Sequence, residues 1–270
     1  MAYLIPFDYQ VNIQDANIQQ IINSDESIRT RAQLSGEAEA QSYLKQKYNI
    51  SREFQDMLVW SQYTIYYAYQ RVYLDANEYY GGDTYNENDL ALYQGVVYTC
   101  LSNGVTGQWN AGNWGYLGKR YRVSYVKAPY PEFDYSAFYK VGDWVFWNNK
   151  SYQCKIATPI LDHDTALQYR VTSNLPTPNV APDDSVYGSQ YWGTGVPYSV
   201  TGSLPDDTEV YVIGDNRDPQ MVLYLCDIVL YHLHTRIAPR NIPDLRVKRY
   251  DDAIAWLRMC AEGSVTPNLP

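Results

Sequence analysis

The clearest hydrophobic pattern lies near the C-terminus, where two segments carry apolar residues at helical spacing. The first stripe consists of Met221, Val222, Leu225, Ile228, Val229 and Leu233, and the second of Val247, Tyr250, Ile254, Leu257 and Ala261. A proline-bounded break at 237–243 separates the two stripes. Because each stripe must be covered by other apolar groups, the pattern predicts a helical hairpin that packs against further helices.

Residues typical of helix ends flank both stripes. Asp218 can cap the first helix, and Pro219 suits its first position, where the missing N–H of proline costs nothing. Asp244 favours the start of the second helix and Gly263 its end. The hairpin is therefore predicted within residues 218–270.

The N-terminal part of the chain holds the other helical material. A short helix is predicted over 15–22, and Ser24 or Asp25 can cap a longer, polar one. The apolar positions of the longer helix are Ile28, Ala32, Ala38, Leu44 and Tyr48. A helix this polar is typical of an exposed or inter-subunit position. Because only these helices remain to cover the hairpin, we expect residues 1–52 and 218–270 to form one helical unit.

The middle of the chain, residues 53–217, favours β-strands and contains an internal repeat with an offset of 54 residues. The matching pairs are Tyr85 and Tyr139, Asp89 and Asp143, Leu92 and Phe146, Tyr93 and Trp147, Tyr98 and Tyr152, and Cys100 and Cys154. Each copy predicts a β-hairpin with a two-residue turn, Gln94-Gly95 in the first and Asn148-Asn149 in the second. Trp114 and Trp192 follow the hairpins and are expected in the cores of the copies.

The two copies are predicted to be small β-modules, which we call module one (about 84–118) and module two (about 138–195). The second is longer because it contains a proline-rich stretch, 158–188, which we expect to be a loop. Further strand material is predicted at 63–74 and at 209–213. The expected fold class is therefore α+β, with a helical core built from both termini and a large β-rich insertion of two repeated modules.

Composition and charge narrow the possible functions. The 29 tyrosines, against 5 phenylalanines, favour protein interfaces or sugar-binding surfaces. The net charge of −9 argues against attraction of the whole chain to DNA phosphate. No apolar run approaches membrane-spanning length, and no secretory signal is recognised. The wide spacing of Cys100, Cys154, Cys226 and Cys260 favours buried, reduced thiols over a metal site.

No residue pattern typical of catalysis or of metal binding is present in the sequence. His232 and His234 are two positions apart on a predicted helix, so their rings point to different faces. The run Asp162-His163-Asp164 offers possible ligands, but it lacks the further ligands of a calcium loop and is interpreted as a solvated or interface turn. We therefore expect neither an enzyme nor a cofactor.

The helical segments resemble a known family. The residues that carry this resemblance are Asp227–Arg236, Ala238–Arg240, Arg249–Leu257, Gly263 and Val265, together with the N-terminal stretch Gln33–Tyr48. They resemble the small head–tail connector proteins of tailed bacteriophages, or head-completion adaptors, of the kind found in Mu-like phages. The long middle resembles the longer form seen in phages related to the crAss-like group. The resemblance covers about the first 50 and the last 50 residues.

This resemblance implies a structural protein at the neck of the virion, assembled in the cytoplasm of the host bacterium. It implies a homo-oligomeric ring of about twelve copies below the portal protein, through which genomic DNA passes without specific binding. The β-modules would dock other neck or tail proteins. Candidate contacts with neighbouring proteins are the basic residues Arg236, Arg240, Arg246, Lys248 and Arg249. Alternatively, these residues form a solvated surface and pair with Asp244, Asp251 and Asp252.

The second repeat copy carries a further resemblance. The residues involved are Tyr139, Gly142, Asp143, Val145, Trp147, Asn149, Tyr152, Cys154 and Trp192. They are similar to the chitin- and cellulose-binding β-modules appended to bacterial chitinases, although the first copy has Asn88 where the glycine usually lies. This resemblance implies polysaccharide binding as an alternative function. The candidate aromatic surface, for a protein or a sugar, consists of Trp109, Trp144 and Trp147.

Overall fold

A computed structural model describes residues 3–156, 161–163, 169–171, 180–202, 205, 210–237 and 242–269, with the backbone alone at 161–163, 169–171 and 237. The chain forms two compact units. Unit 1 comprises Met1–Trp60, Gln70–Tyr125 and Ile213–Pro270, and unit 2 comprises Ser61–Tyr69 and Val126–Val212. The predicted boundaries of an insertion at 53 and 217 stay a prediction, because these units divide the chain at other positions.

Helices and strands both contribute to the chain. Two 3-10 helices span Pro6–Val11 and Ala111–Asn113, and the α-helices are α1 (Asp15–Ile22), α2 (Glu26–Leu44), α3 (Ile50–Glu53), α4 (Gly188–Tyr191), α5 (Pro219–Ile237) and α6 (Asp244–Glu262). The strands are β1 (Met57–Val59), β2 (Arg71–Tyr73), β3 (Leu90–Tyr93), β4 (Val96–Cys100), β5 (Trp114–Lys119), β6 (Val123–Val126), β7 (Trp144–Trp147), β8 (Lys150–Gln153), β9 (Leu161–His163), β10 (Tyr169–Val171), β11 (Val196–Pro197) and β12 (Tyr211–Ile213). The predicted α+β class is confirmed.

Both ends of the chain contribute to one apolar core in unit 1. Its buried members include Tyr3, Tyr9, Ile18, Ile22, Leu44, Met221, Leu225, Ile228, Val229, Leu233, Ile254, Trp256, Leu257 and Cys260. The predicted stripe of α5 is therefore in the core. On α6, Ala261 is exposed, contrary to prediction, because Leu257 and the neighbouring Cys260 face the core instead.

The helix ends follow the capping residues of the sequence. The carboxylate of Asp218 accepts a hydrogen bond from the backbone N–H of Met221 at 2.9 Å, and that of Asp25 from Ser27 at 3.0 Å. Gly263 ends α6 in the left-handed region with φ 85°. The predicted hairpin ends at 218 and 263 are thus confirmed.

Helix α2 is packed on α5 and α6 rather than exposed. Its buried residues are Gln33, Gly36, Glu37, Ala40 and Leu44. The predicted apolar position Ala38 is exposed, because the buried face follows Gly36, Ala40 and Leu44 at intervals of four residues. A Cβ atom at Gly36 would lie 2.9 Å from Cγ2 of Val229, so the glycine permits the close approach of α2 to α5.

A four-stranded sheet has the order β1-β2-β6-β12, with β1 parallel to β2 and β2 antiparallel to β6. The strand predicted over 63–74 is limited to β2, Arg71–Tyr73. Residues before it form turns, because Tyr69 adopts a positive φ of 68° and the Tyr66 hydroxyl bonds back to Ser61. The prediction of a long strand here was wrong.

Each repeat copy forms a three-stranded antiparallel sheet, with the order β3-β4-β5 in unit 1 and β7-β8-β11 in unit 2. The turn residues are left-handed, with φ of 51° and 77° at Gln94 and Gly95 and of 47° and 58° at Asn148 and Asn149. Trp114 and Trp192 are buried in the respective cores. The two predicted hairpins are confirmed.

The loop predicted over 158–188 contains regular structure within its described part. Strands β9 and β10 pair antiparallel, and α4 begins at Gly188. A pair of three-residue strands is too short for alternation of polar and apolar positions to show in the sequence. Asp164 and the side chains of Asp162 and His163 lie outside the described residues.

Candidate interaction surfaces

A corner tyrosine closes each β-module. The Tyr85 hydroxyl accepts a hydrogen bond from the backbone N–H of Tyr80 at 2.9 Å, and the Tyr139 hydroxyl accepts one from Asp134 at 2.7 Å. The same contact occurs a third time, since the Tyr66 hydroxyl accepts from Ser61 at 2.8 Å. In all three cases the partner precedes the tyrosine by five residues.

The surrounding backbone repeats in the same register. Tyr69, Asn88 and Gly142 each follow their corner tyrosine by three residues and have φ of 68°, 74° and 97°. Each donates its N–H, at 2.8 Å, to the carbonyl of Val126, Cys100 and Cys154 respectively. The chain therefore holds a third, diverged copy of the module pattern, which sequence analysis missed because the strand carrying Val126 follows the whole first copy.

Two arginines of α6, Arg246 and Arg249, contact Asp227 of α5. Arg249 Nη1 lies 3.5 Å and Arg246 Nη1 3.7 Å from Asp227 Oδ1, and the Asp227 side chain is buried. Arg246 also donates to the carbonyl of Asn12 at 3.0 Å, and Arg249 donates to the side-chain oxygen of Asn12 at 2.8 Å. Burial raises the pKa of Asp227, although the two arginines oppose this. Arg246 and Arg249 thus fasten α6 to the rest of the core instead of pairing along α6.

A second polar cluster joins three helices around Glu39 of α2. Its carboxylate accepts hydrogen bonds from the Tyr250 hydroxyl at 2.6 Å and contacts His232 Nε2 at 2.9 Å. Burial and the Glu39 contact raise the pKa of Tyr250. His234 instead contacts the carbonyl of Leu230 at 2.7 Å, so the two histidines face different partners as predicted.

The remaining predicted basic residues have different positions. Arg236 and Lys248 are exposed, and Arg240 lies outside the described residues. Arg236 borders a surface groove between α2 and α5, which we call the α2–α5 groove. It is lined by Ile28, Arg31, Ala32, Ser35, His232, Leu233 and Arg236. Apolar side chains thus lie beside two exposed arginines, an arrangement that suits an acidic partner with an apolar residue.

Two buried arginines, Arg71 and Arg217, hold the N-terminal segment, and no sequence pattern predicted this role. Arg217 donates to both oxygens of Asp8 at 2.8 and 2.9 Å, to Asp215 at 2.6 Å, and to the Tyr3 carbonyl at 2.7 Å. Burial raises the pKa of Asp215, but the hydrogen bonds and charge of Arg217 outweigh it and lower the pKa overall. Such a site is built for holding chain segments together, since all its donors are used internally.

Arg71 forms the neighbouring contact. It donates to the Glu53 carboxylate at 3.0 Å, to the Glu53 carbonyl at 2.7 Å and to the side chain of Asn216 at 2.6 Å. The Tyr3 hydroxyl donates to the other Glu53 oxygen at 2.5 Å. Arg71 and Arg217 both lie near Tyr3, with their guanidinium carbons 5.8 and 5.4 Å from its ring centre.

The three candidate tryptophans are half-buried. Trp109 stacks on Tyr93 at 4.1 Å and on Trp114 at 5.0 Å between ring centres, so both of its faces are covered. Trp144 stacks on the partly exposed Tyr130 at 5.1 Å. The docking role of the three tryptophans stays a prediction. Because both faces of Trp109 are covered, only the edge of its ring could contact a partner.

Trp147 combines with polar groups on the surface of module two. Its indole N–H donates to Asp183 at 2.7 Å, and the Asn148 side chain donates to the second oxygen of Asp183 at 2.6 Å. Tyr135, 45% exposed, lies edge-on to the Trp147 ring at 6.0 Å. An aromatic side chain and a carboxylate thus lie together at an exposed position.

The cysteines and the possible metal ligands give no candidate site among the described residues. All four cysteines are free and buried, and burial raises the pKa of Cys260 to about 11. Within the ranges that the structure describes, no three His, Cys, Asp or Glu side chains lie close enough to bind a metal ion. In the same ranges, no helix has both the length and the apolar character that crossing a membrane requires.

The sequence was compared with known protein families and with curated proteins. A search of curated proteins found no match. The family described as "Bacteriophage Mu, Gp36" matches residues 217–270, which run from the buried Arg217 through α5 and α6. The chain therefore carries a segment similar to that bacteriophage family, and this indicates a phage-derived structural protein.

Proposed function

We propose that the chain is a head–tail connector subunit, which forms a ring below the portal of a tailed phage and has no enzymatic activity. The observation that carries the proposal is the position of the family match. Residues 217–270 include the cap Asp218, both long helices and the terminating Gly263. The matched segment is thus the complete helical hairpin around which the core of unit 1 is built.

The residues that resemble those of head–tail connector proteins support this proposal through their contacts. Asp227 and Arg249 join α5 to α6, Tyr250 joins α6 to α2 through Glu39, and Ala253 is fully buried. These contacts hold the three helices of the core together. A motif of this kind is expected in an assembly subunit, where the shape of the helical unit is the functional property.

Electron microscopy tests the proposal. The full chain is co-expressed with the portal protein of the same phage, and the purified material is imaged by negative staining. We expect a ring of about twelve copies stacked on one face of the portal. A chain that fails to bind the portal, or that antibody labelling places elsewhere in the virion, contradicts the proposal.

We propose polysaccharide binding by module two as a second candidate function, on the basis of the Trp147, Tyr135 and Asp183 arrangement. The exposed Tyr135 ring beside the half-buried Trp147, together with the Asp183 carboxylate, offers both apolar and hydrogen-bonding contact to a sugar. Retention of the chain on insoluble chitin or on capsular polysaccharide, lost in Trp147→Ala and kept in Tyr116→Ala, supports this function. Tyr116 is a suitable control because it is 65% exposed on module one. Absence of retention on these polysaccharides contradicts it.

A further inference from the structure

The rim of the α2–α5 groove carries two arginines, and the exposed Asp25 interacts electrostatically with both. Arg31 and Arg236 are exposed on its rim, and neither forms an ion pair with a described residue. Leu233 forms a buried part of its floor, beside the half-buried Ile28 and Ala32. The groove therefore suits a segment with acids around an exposed apolar side chain.

The first half of α6 presents such a segment on a different surface. Asp244, Leu245, Lys248, Asp251 and Asp252 are all exposed, and none of them lines the groove. Spacings of three, four and seven residues place them on one side of the helix. Leu245 is 60% exposed. We call this surface the α6 acidic face; its formal charge is negative because three acids accompany one lysine.

We infer that the α6 acidic face of one copy docks in the α2–α5 groove of the next copy. Leu245 would contact the apolar floor, and Asp251 and Asp252 would pair with Arg31 and Arg236 on the rim. This inference rests on the proposed ring and specifies the contact between neighbouring copies of that ring. Because groove and acidic face are different surfaces, a copy that is bound through one of them keeps the other free for the next copy. A head-to-tail contact of this kind forms a ring when the rotation between copies closes.

Charge reversal of each surface tests the contact. The groove variant is Arg31→Glu with Arg236→Glu, and the acidic-face variant is Asp251→Lys with Asp252→Lys, both in the full chain. Self-association is measured by sedimentation velocity, and ring formation on the portal by electron microscopy. We expect each variant to associate at least about tenfold more weakly, because like charges then face each other. A chain with all four substitutions should regain assembly.

Mixing the two variants gives a sharper result. The groove variant keeps an intact acidic face, and the acidic-face variant keeps an intact groove. The intact acidic face of the first variant fits the intact groove of the second, and the lysine-substituted face of the second fits the glutamate-substituted groove of the first. We therefore expect the mixture to form rings in which the two variants alternate, although neither variant assembles alone. Lys119→Glu and Glu87→Arg are the matched controls, because both residues are exposed on module one and reverse charge away from the contact.

The outcomes separate the contact from the proposed function. Groove and acidic-face variants that form rings as well as the wild type overturn the contact and leave the connector role intact. Failure of the four-substitution chain to assemble overturns the pairing of these two surfaces. A wild-type chain that stays monomeric with and without portal overturns both proposals. Unchanged helical content by circular dichroism in each variant excludes misfolding as the cause.

Discussion

Arg217 and Asp8 form a two-pronged ion pair across 209 residues of sequence, with distances of 2.8 and 2.9 Å. Both side chains are buried, at 1% and 7% exposure. Asp8 lies in the N-terminal 3-10 helix, and Arg217 directly precedes Asp218, which caps α5. The ion pair therefore connects the two chain ends at the point where the chain returns from its β-rich middle.

Replacement of Arg217 by methionine should destabilise the helical unit by about 3–5 kcal/mol, because Asp8 would remain buried without its partner. The measurement is urea unfolding followed by far-ultraviolet circular dichroism. Arg258→Met is the control, since Arg258 is exposed on α6 and its loss should change stability little. Equal effects of the two substitutions would show that the ion pair does not stabilise the unit.

Glu37→Gln should make the protein more stable than the wild type at neutral pH. Burial raises the pKa of Glu37, so the folded state favours its protonated form. Relative to the glutamine variant, wild-type stability is complete below the ordinary carboxyl pKa and falls as pH rises through the raised value. The advantage of the variant should therefore grow with pH, as measured by thermal unfolding at several pH values. A constant difference would contradict the ionisation of Glu37 as its cause.

Gly36→Leu should destabilise the bundle by about 1–3 kcal/mol through overpacking. A Cβ atom there already approaches Val229 Cγ2 to 2.9 Å and Ile228 Cγ2 to 3.2 Å. Ala38→Leu provides the comparison, because Ala38 is exposed on the same helix. Chemical denaturation of both variants checks the expectation, and a stable Gly36→Leu protein would mean that α2 and α5 can move apart freely.

Tyr66→Phe should cost about 1 kcal/mol, as should Tyr85→Phe and Tyr139→Phe, because each removes a hydroxyl that accepts a backbone N–H. Tyr63→Phe should be neutral, since Tyr63 is 80% exposed. Hydrogen exchange of the amides at Ser61, Tyr80 and Asp134 reports each loss locally. If Tyr66→Phe is as stable as Tyr63→Phe, the tyrosine hydroxyl does not stabilise the third copy of the module pattern as it does the other two.

The sequence predicted those parts of the fold that depend on local spacing. Helix α5 and its cap at Asp218 follow from apolar periodicity and side-chain chemistry within a few residues. The two hairpins follow from turn residues that tolerate positive φ, such as Asn148 and Gly95. These features need no knowledge of distant contacts, and the structure confirms them.

Long-range polar contacts were not predictable in this way. Arg217 and Asp8 are separated by most of the chain, and nothing in either local sequence marks them as partners. The buried face of α2 was misplaced for a related reason, because it contains Gln33 and Glu37, whose polar groups are satisfied by the N-terminal segment. The contacts of Arg246 and Arg249 with Asp227 were also not predicted, and their role as contacts with neighbouring proteins stays a prediction.

The shared core of the two chain ends has a consequence for synthesis in the cell. Helix α2 leaves the ribosome long before α5 and α6, and at roughly 5–20 residues per second the delay is on the order of ten seconds or more. During that time the buried face of α2, which includes Ala40 and Leu44, lacks the helices against which it packs. A polypeptide released early lacks α5 and α6 and therefore cannot form this bundle.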